Sequence, residues 1–175
     1  MFKVILLVVI AVIAAVLIYA AAQPDTFQVQ RSAVIQATPE KIFPFLNDFN
    51  KWQSWSPWEK KDPTMKRSFS GPASGVGAVY GWDGNSEVGQ GRMTITTSTP
   101  SSKVALDLEF LKPFQITNQV EFTLQPEGNG TKVIWVMKGS SPFVAKVMRV
   151  FMDMDGMVGK DFETGLINLK AQSEK

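Results

Sequence analysis

The spacing of apolar positions divides the chain into three stretches. From Val4 to Ala22 no residue is charged and almost all are aliphatic. A run of that length is sufficient to cross a hydrocarbon core as a helix. A helix apolar on every side must also be surrounded by apolar material. Over Phe27–Ile35, and again from Met65 to Lys138, the period is mostly two. Phe27, Val29, Ala33 and Ile35 share one face of a first strand, with Arg31 the exception on that face. From Pro142 to Lys170 the step changes to three and four. Val147, Phe151, Met154, Val158, Phe162, Leu166 and Leu169 then form one apolar face of a C-terminal helix.

Between the first strand and the next, Thr38-Pro39-Glu40 reads as a helix start, with threonine to cap and proline in the first turn. Pro44 keeps that helix short, and Asn47-Asp48 opens a second short piece through Trp52. Six further strands are predicted over Met65–Ser70, Ala78–Asp83, Gly89–Thr99, Lys103–Leu111, Gln115–Gln125 and Thr131–Lys138. The breaks between them carry turn residues: Gly71-Pro72, Asp83-Gly84-Asn85, Thr99-Pro100-Ser101, Lys112-Pro113 and Glu127-Gly128-Asn129-Gly130. Short consecutive strands joined by tight turns imply an antiparallel meander, so the fold class is α+β. Gly156, Gly159 and Gly165 each cost about 1 kcal/mol against alanine in a helix interior. They either break the C-terminal helix in two or let it pass closely over the sheet.

The leading run is read as an anchor over residues 1–22, followed by one domain over residues 23–175. Lys3 before the run orients the N-terminus to the cytoplasm and the domain to the far side of the membrane, in the periplasm or at the cell surface if the source is bacterial. Ala20-Ala21-Ala22 offers an A-x-A arrangement, so signal cleavage and secretion is the alternative. Ala11 and Ala15 are lipid-facing or a small-xxx-small pair.

Composition narrows the chemistry. The chain of 175 residues has 18 basic and 16 acidic side chains, with neither sign gathered into a block. No basic stripe of the kind that binds nucleic acid is present. Without cysteine there is no disulfide, thiolate nucleophile or cysteine-ligated zinc, and without histidine there is no Ser-His pair or histidine metal triad. Catalysis would have to use carboxylates, lysine, tyrosine, arginine or backbone groups, which leans the reading away from an enzyme. No cofactor is implied. Asp153-Met154-Asp155-Gly156 has the look of a calcium loop, but its glycine comes too early and its twelfth position is Thr164. Gly75-Val76-Gly77-Ala78-Val79-Tyr80-Gly81 leads into a strand, so it is a hairpin and not a phosphate loop.

The order of elements and several segments resemble the SRPBCC superfamily, the helix-grip fold of START domains and pollen-allergen-type proteins, and within it the membrane-anchored polyketide cyclase/dehydrase-like branch. The segments are Arg31-Ser32 through Pro39-Glu40-Lys41-Ile42-Phe43, Trp52-Gln53-Ser54-Trp55-Ser56-Pro57-Trp58, Gly75 to Trp82, Gly89-Gln90-Gly91, and Phe151 to Asp155 with Asp161 to Leu166. The resemblance implies a curved antiparallel sheet of about seven strands around a long C-terminal helix. It also implies a cavity between them for a hydrophobic or lipid-like molecule, with the Gly75–Gly81 loop as a gate.

Side chains expected around that cavity are Phe151, Met154, Val158 and Phe162 from the helix, and Tyr80, Trp82, Phe122 and Trp135 from the sheet. Trp55 and Trp58 either close its mouth or plug the end of the sheet, while Trp52 reads as a plug. Arg31 is the one charge on an apolar strand face and so a candidate for ligand contact, or else a snorkelling side chain. Asp107 and Glu109 lie on the solvent face of their strand. The leading expectation is a tethered binding module for an apolar ligand. The alternatives are a cyclase or hydrolase acting on an aromatic substrate, and an envelope interaction domain whose core is filled by its own side chains.

Overall fold

The computed structural model describes residues 1–112 and 115–175, so Pro113 of the expected Lys112-Pro113 turn lies outside the described residues. Helix α1 covers Phe2–Ala21, and strand β1 follows over Thr26–Ile35. Helix α2 (Pro39–Asn47), a 3₁₀ turn (Phe49–Ser54) and the short helix α3 (Trp58–Lys61) come next. The strands β2 (Lys66–Ser70), β3 (Val79–Asp83), β4 (Gln90–Thr99), β5 (Lys103–Lys112), β6 (Ile116–Glu127) and β7 (Gly130–Ser140) form the meander. Helices α4 (Phe143–Phe151) and α5 (Met154–Ser173) complete the chain.

The sheet has the order β1-β7-β6-β5-β4-β3-β2, with every neighbouring pair antiparallel. The meander supplies six of the strands, and β1 returns to pair along β7 from Thr26↔Ser140 to Ile35↔Thr131. This is the expected α+β helix-grip: a seven-stranded sheet with a long C-terminal helix and an N-terminal apolar helix.

Alternation puts one face of each strand in the core. Val133, Trp135 and Met137 of β7, Val120, Phe122 and Leu124 of β6, and Val104 and Leu106 of β5 are buried. Helix α5 lays Phe162, Leu166 and Leu169 on them. Burying each such side chain is worth about 1.5–3 kcal/mol.

The C-terminal segment breaks, but not at a glycine. Met152 adopts an extended backbone (φ −129°, ψ 126°), and Asp153 caps α5 by accepting a hydrogen bond from Gly156 N at 2.8 Å. A capping carboxylate satisfies one of the orphan N–H groups of a first helical turn. The glycines serve the other purpose, close passage. A Cβ on Gly165 would stand 2.7 Å from Trp135 Cζ3, so only glycine lets α5 rest on that indole. The break also cancels the single apolar face expected from Val147 to Leu169, because α4 and α5 point their apolar sides differently.

Candidate functional site

The tryptophan trio is positioned by the end of α2. The last carbonyls of a helix have no partner within it. Here the indole of Trp52 donates to Leu46 O at 3.2 Å and that of Trp55 donates to Phe45 O at 2.9 Å. Held there, both rings turn inward. Trp55 meets Trp135 edge-on at 5.5 Å and Phe122 at 6.0 Å, while Trp135 stacks on Phe162 at 4.0 Å with the planes 8° apart. Half-buried Trp58 closes the group, edge-on to Trp135 at 5.8 Å and to Phe162 at 6.3 Å.

The structure therefore brings Trp55, Trp58, Phe122, Trp135 and Phe162 together between sheet and helix, with Val158 half-buried beside the core. The rings occupy that space themselves. Among the described residues Trp135 Nε1, buried in this cluster, has no acceptor, a state that costs about 1–3 kcal/mol. Tyr80 and Trp82 lie farther along the sheet on β3, and Tyr80 reaches the cluster through Phe49 at 5.9 Å.

Phe151 and Met154 are elsewhere. They are 73 % and 39 % exposed and flank the break between α4 and α5 instead of facing the sheet. The reason is the Asp153 cap, which starts a new helix and turns the preceding one away. A recess of about 380 Å³ lies at this break, lined by residues 149–155. A smaller one of about 100 Å³ lies where the 3₁₀ turn meets the β2–β3 connection, near Gly71 and Pro72.

Arg31 stands beside the first of these recesses, but its guanidinium is fully engaged. Nε donates to Glu163 Oε1 at 2.8 Å, Nη1 to Gln30 O and Asp155 Oδ1, and Nη2 to Asp155 O and Oδ2. All five N–H donors of the group are taken. Arg31 thus clamps the first turns of α5 to β1.

A second cluster was not signalled by the sequence. Glu59, on α3, is nearly buried and accepts from Tyr80 Oη at 2.6 Å and from Arg67 Nε at 2.7 Å. In the sequence it is one charge beside Lys60-Lys61, and nothing local shows that α3 swings it over β3. Burial raises the Tyr80 pKa strongly, and the hydrogen bond and negative charge of Glu59 raise it further. The neutral phenol is favoured in the fold. Its contribution is intact below the unfolded value near 10 and is lost as pH rises beyond it, because the unfolded chain ionises first. Tyr80→Phe is expected to cost about 1–2 kcal/mol at neutral pH by leaving Glu59 short of a donor. The variant should also lose stability less steeply than the wild type above pH ~10. Urea midpoints measured from pH 8 to 11 for both proteins check this.

No curated protein matches the chain. Solved structures share its fold at low identity. The Aha1 dimer from Colwellia psychrerythraea is 20% identical with a TM-score of 0.62, the match covering 85% of this chain and 96% of that one. Ginseng major latex-like protein 151 from Panax ginseng is 10% identical with a TM-score of 0.62, covering 87% and 100%. Protein CV1439 from Chromobacterium violaceum is 15% identical with a TM-score of 0.61, covering 87% and 99%. The family described as polyketide cyclase / dehydrase and lipid transport matches residues 26–174, nearly all of the chain beyond α1 and the link that follows it. With a matching sheet, a matching helix and a match of that length, the chain belongs to the polyketide cyclase / dehydrase and lipid transport family.

Proposed function

We propose that the protein is a membrane-tethered module that takes up an apolar, lipid-like molecule at the α4–α5 end of its helix-grip core. The observation that carries this is the recess of about 380 Å³ at the helix break, with Phe151, Met152 and Met154 exposed around it. The recess is open to the surface, so a molecule held there would lie against Phe151, Met152 and Met154 without being enclosed. Methionine suits a site that accepts more than one apolar shape, being unbranched and polarisable. The family description, which includes lipid transport, points the same way. Deeper entry, between sheet and α5, requires the Arg31 clamp to open and the aromatic cluster to part.

The tether is supported by α1, which is long and apolar enough to cross a membrane. Ala20, in its last turn, is fully buried, and α1 packs against α4. Cleavage after Ala22 would strip α4 of that neighbour, which favours a retained anchor over the secreted form. Lys3 orients the N-terminus to the cytoplasm and the domain to the opposite side.

The enzymatic alternative would draw on Tyr80 and Glu59. A phenol held so firmly neutral is neither a ready proton donor nor a base near pH 7. The filled aromatic cluster favours the third reading, an interaction domain without a ligand. A titration of the full chain in detergent with a fluorescent fatty acid separates the readings. Saturable binding of one probe per chain is expected, weakened about tenfold or more in Met154→Asp, equivalent to about 1.4 kcal/mol. A probe that partitions without saturating, identically in both proteins, would leave the third.

A further inference from the structure

Helix α4 has its polarity reversed. Phe143, Val144, Met148 and Phe151 fall on one arc of the helix and are exposed, Val144 at 71 %. Lys146, on the other side, is buried and pairs with Asp25 Oδ1 at 2.5 Å. A surface helix of a soluble domain does the opposite, turning its apolar stripe inward. Met152, Met154 and Met157, also exposed, follow the arc along the chain.

Three observations identify what covers this face. Within α1 every residue is exposed except Val16 and Ala20, one turn apart, and α4 is the helix that packs on α1. Helix α4 therefore lies beside the last turns of α1, at the depth where a spanning helix leaves the hydrocarbon. Only Ala22–Asp25 separate α1 from β1, so the domain can move no more than about 14 Å from that point. The start of α4 is fixed there as well, since Ser141 N donates to Asp25 O at 2.6 Å and Lys146 binds the Asp25 carboxylate.

We propose that α4 is an interfacial helix, lying in the plane of the bilayer with Phe143, Val144, Met148 and Phe151 among the acyl chains of the leaflet from which α1 emerges. The proposal rests on the reading of α1 as a membrane span. It gives the recess at the helix break a direct opening to lipid.

The chain has no cysteine, so single-cysteine variants accept one spin label each. Labels at Val144 and Phe151 are compared with labels at Ile10 in α1 and at Asn129, in the turn at the far end of β7, using the full chain in phosphatidylcholine–phosphatidylglycerol vesicles. Collision with oxygen, which concentrates in lipid, is measured against collision with a water-soluble nickel complex. The expected result is an oxygen-to-nickel ratio several-fold higher at Val144 and Phe151 than at Asn129, approaching that at Ile10. Ratios at Val144 and Phe151 equal to that at Asn129, with Ile10 in lipid, would overturn the interfacial helix and leave the tether standing. Dipolar broadening at Phe151 together with shielding from both reagents would make the face an interface between copies, and would overturn it too. A water-like ratio at Ile10 would remove the tether and the interfacial helix together.

Discussion

Replacing Trp135 with alanine is expected to lower the unfolding free energy by about 3–5 kcal/mol, the range for removing a buried aromatic side chain. The side chain is 2 % exposed and sits at the centre of the aromatic cluster, stacked on Phe162 and touched edge-on by Trp55 and Trp58. It is fixed to two elements at once, so its neighbours cannot easily collapse into the space it leaves. For a domain of this size each kcal/mol moves the melting temperature by roughly 2–4 °C, so a fall on the order of 10 °C is expected. Trp135→Phe separates packing from polarity. It keeps a ring against Phe162 and removes an indole N–H that has no acceptor among the described residues, so it should cost no more than about 1–2 kcal/mol. Thermal melts of both variants, followed by near-ultraviolet circular dichroism, give the comparison. Equal losses would show that the ring stack is not what holds α5 to the sheet.

Gly165→Val should be nearly as damaging, by roughly 3 kcal/mol, for the opposite reason of excess volume. Glycine in a helix interior ordinarily costs about 1 kcal/mol against alanine, and substitution would be expected to help. At this position a Cβ would stand 2.7 Å from Trp135 Cζ3 and 3.3 Å from Pro57 Cδ. Neither neighbour is the end of a flexible chain, so α5 itself has to lift off the sheet. Gly165→Ala should be destabilising as well, by about 1 kcal/mol net once the gain in helix propensity is subtracted from the overpacking. The denaturant midpoint measures the ordering, wild type above alanine above valine.

The strands were legible in the sequence because period-two alternation and turn residues agree at almost every break. The expected Ala78–Asp83 and Lys103–Leu111 become Val79–Asp83 and Lys103–Lys112. Trp135, Phe122 and Phe162 could be named from the same alternation and from helical spacing. The division of the tail could not. Phe151, Met154 and Val158 continue the helical step across the break, and the stop depends on one side chain, Asp153, accepting from Gly156 N. Periodicity shows that a helix has an apolar face but not what covers it, so Phe151 and Met154 were expected inside although they stand on the surface. The Arg31 clamp depends on carboxylates 124 and 132 residues away in the chain. No local pattern shows that pairing, nor the turn of α3 that carries Glu59 to Tyr80.

Native mass spectrometry of the full chain, released from lipid nanodiscs, tests the tethered binding module most directly. The expected spectrum shows a chain that retains residues 1–22 and carries one apolar molecule, with that molecule lost in Met154→Asp while the variant melts at the wild-type temperature. A chain cut within Ala20-Ala21-Ala22, or an intact chain that emerges bare both before and after incubation with fatty acids, would contradict it.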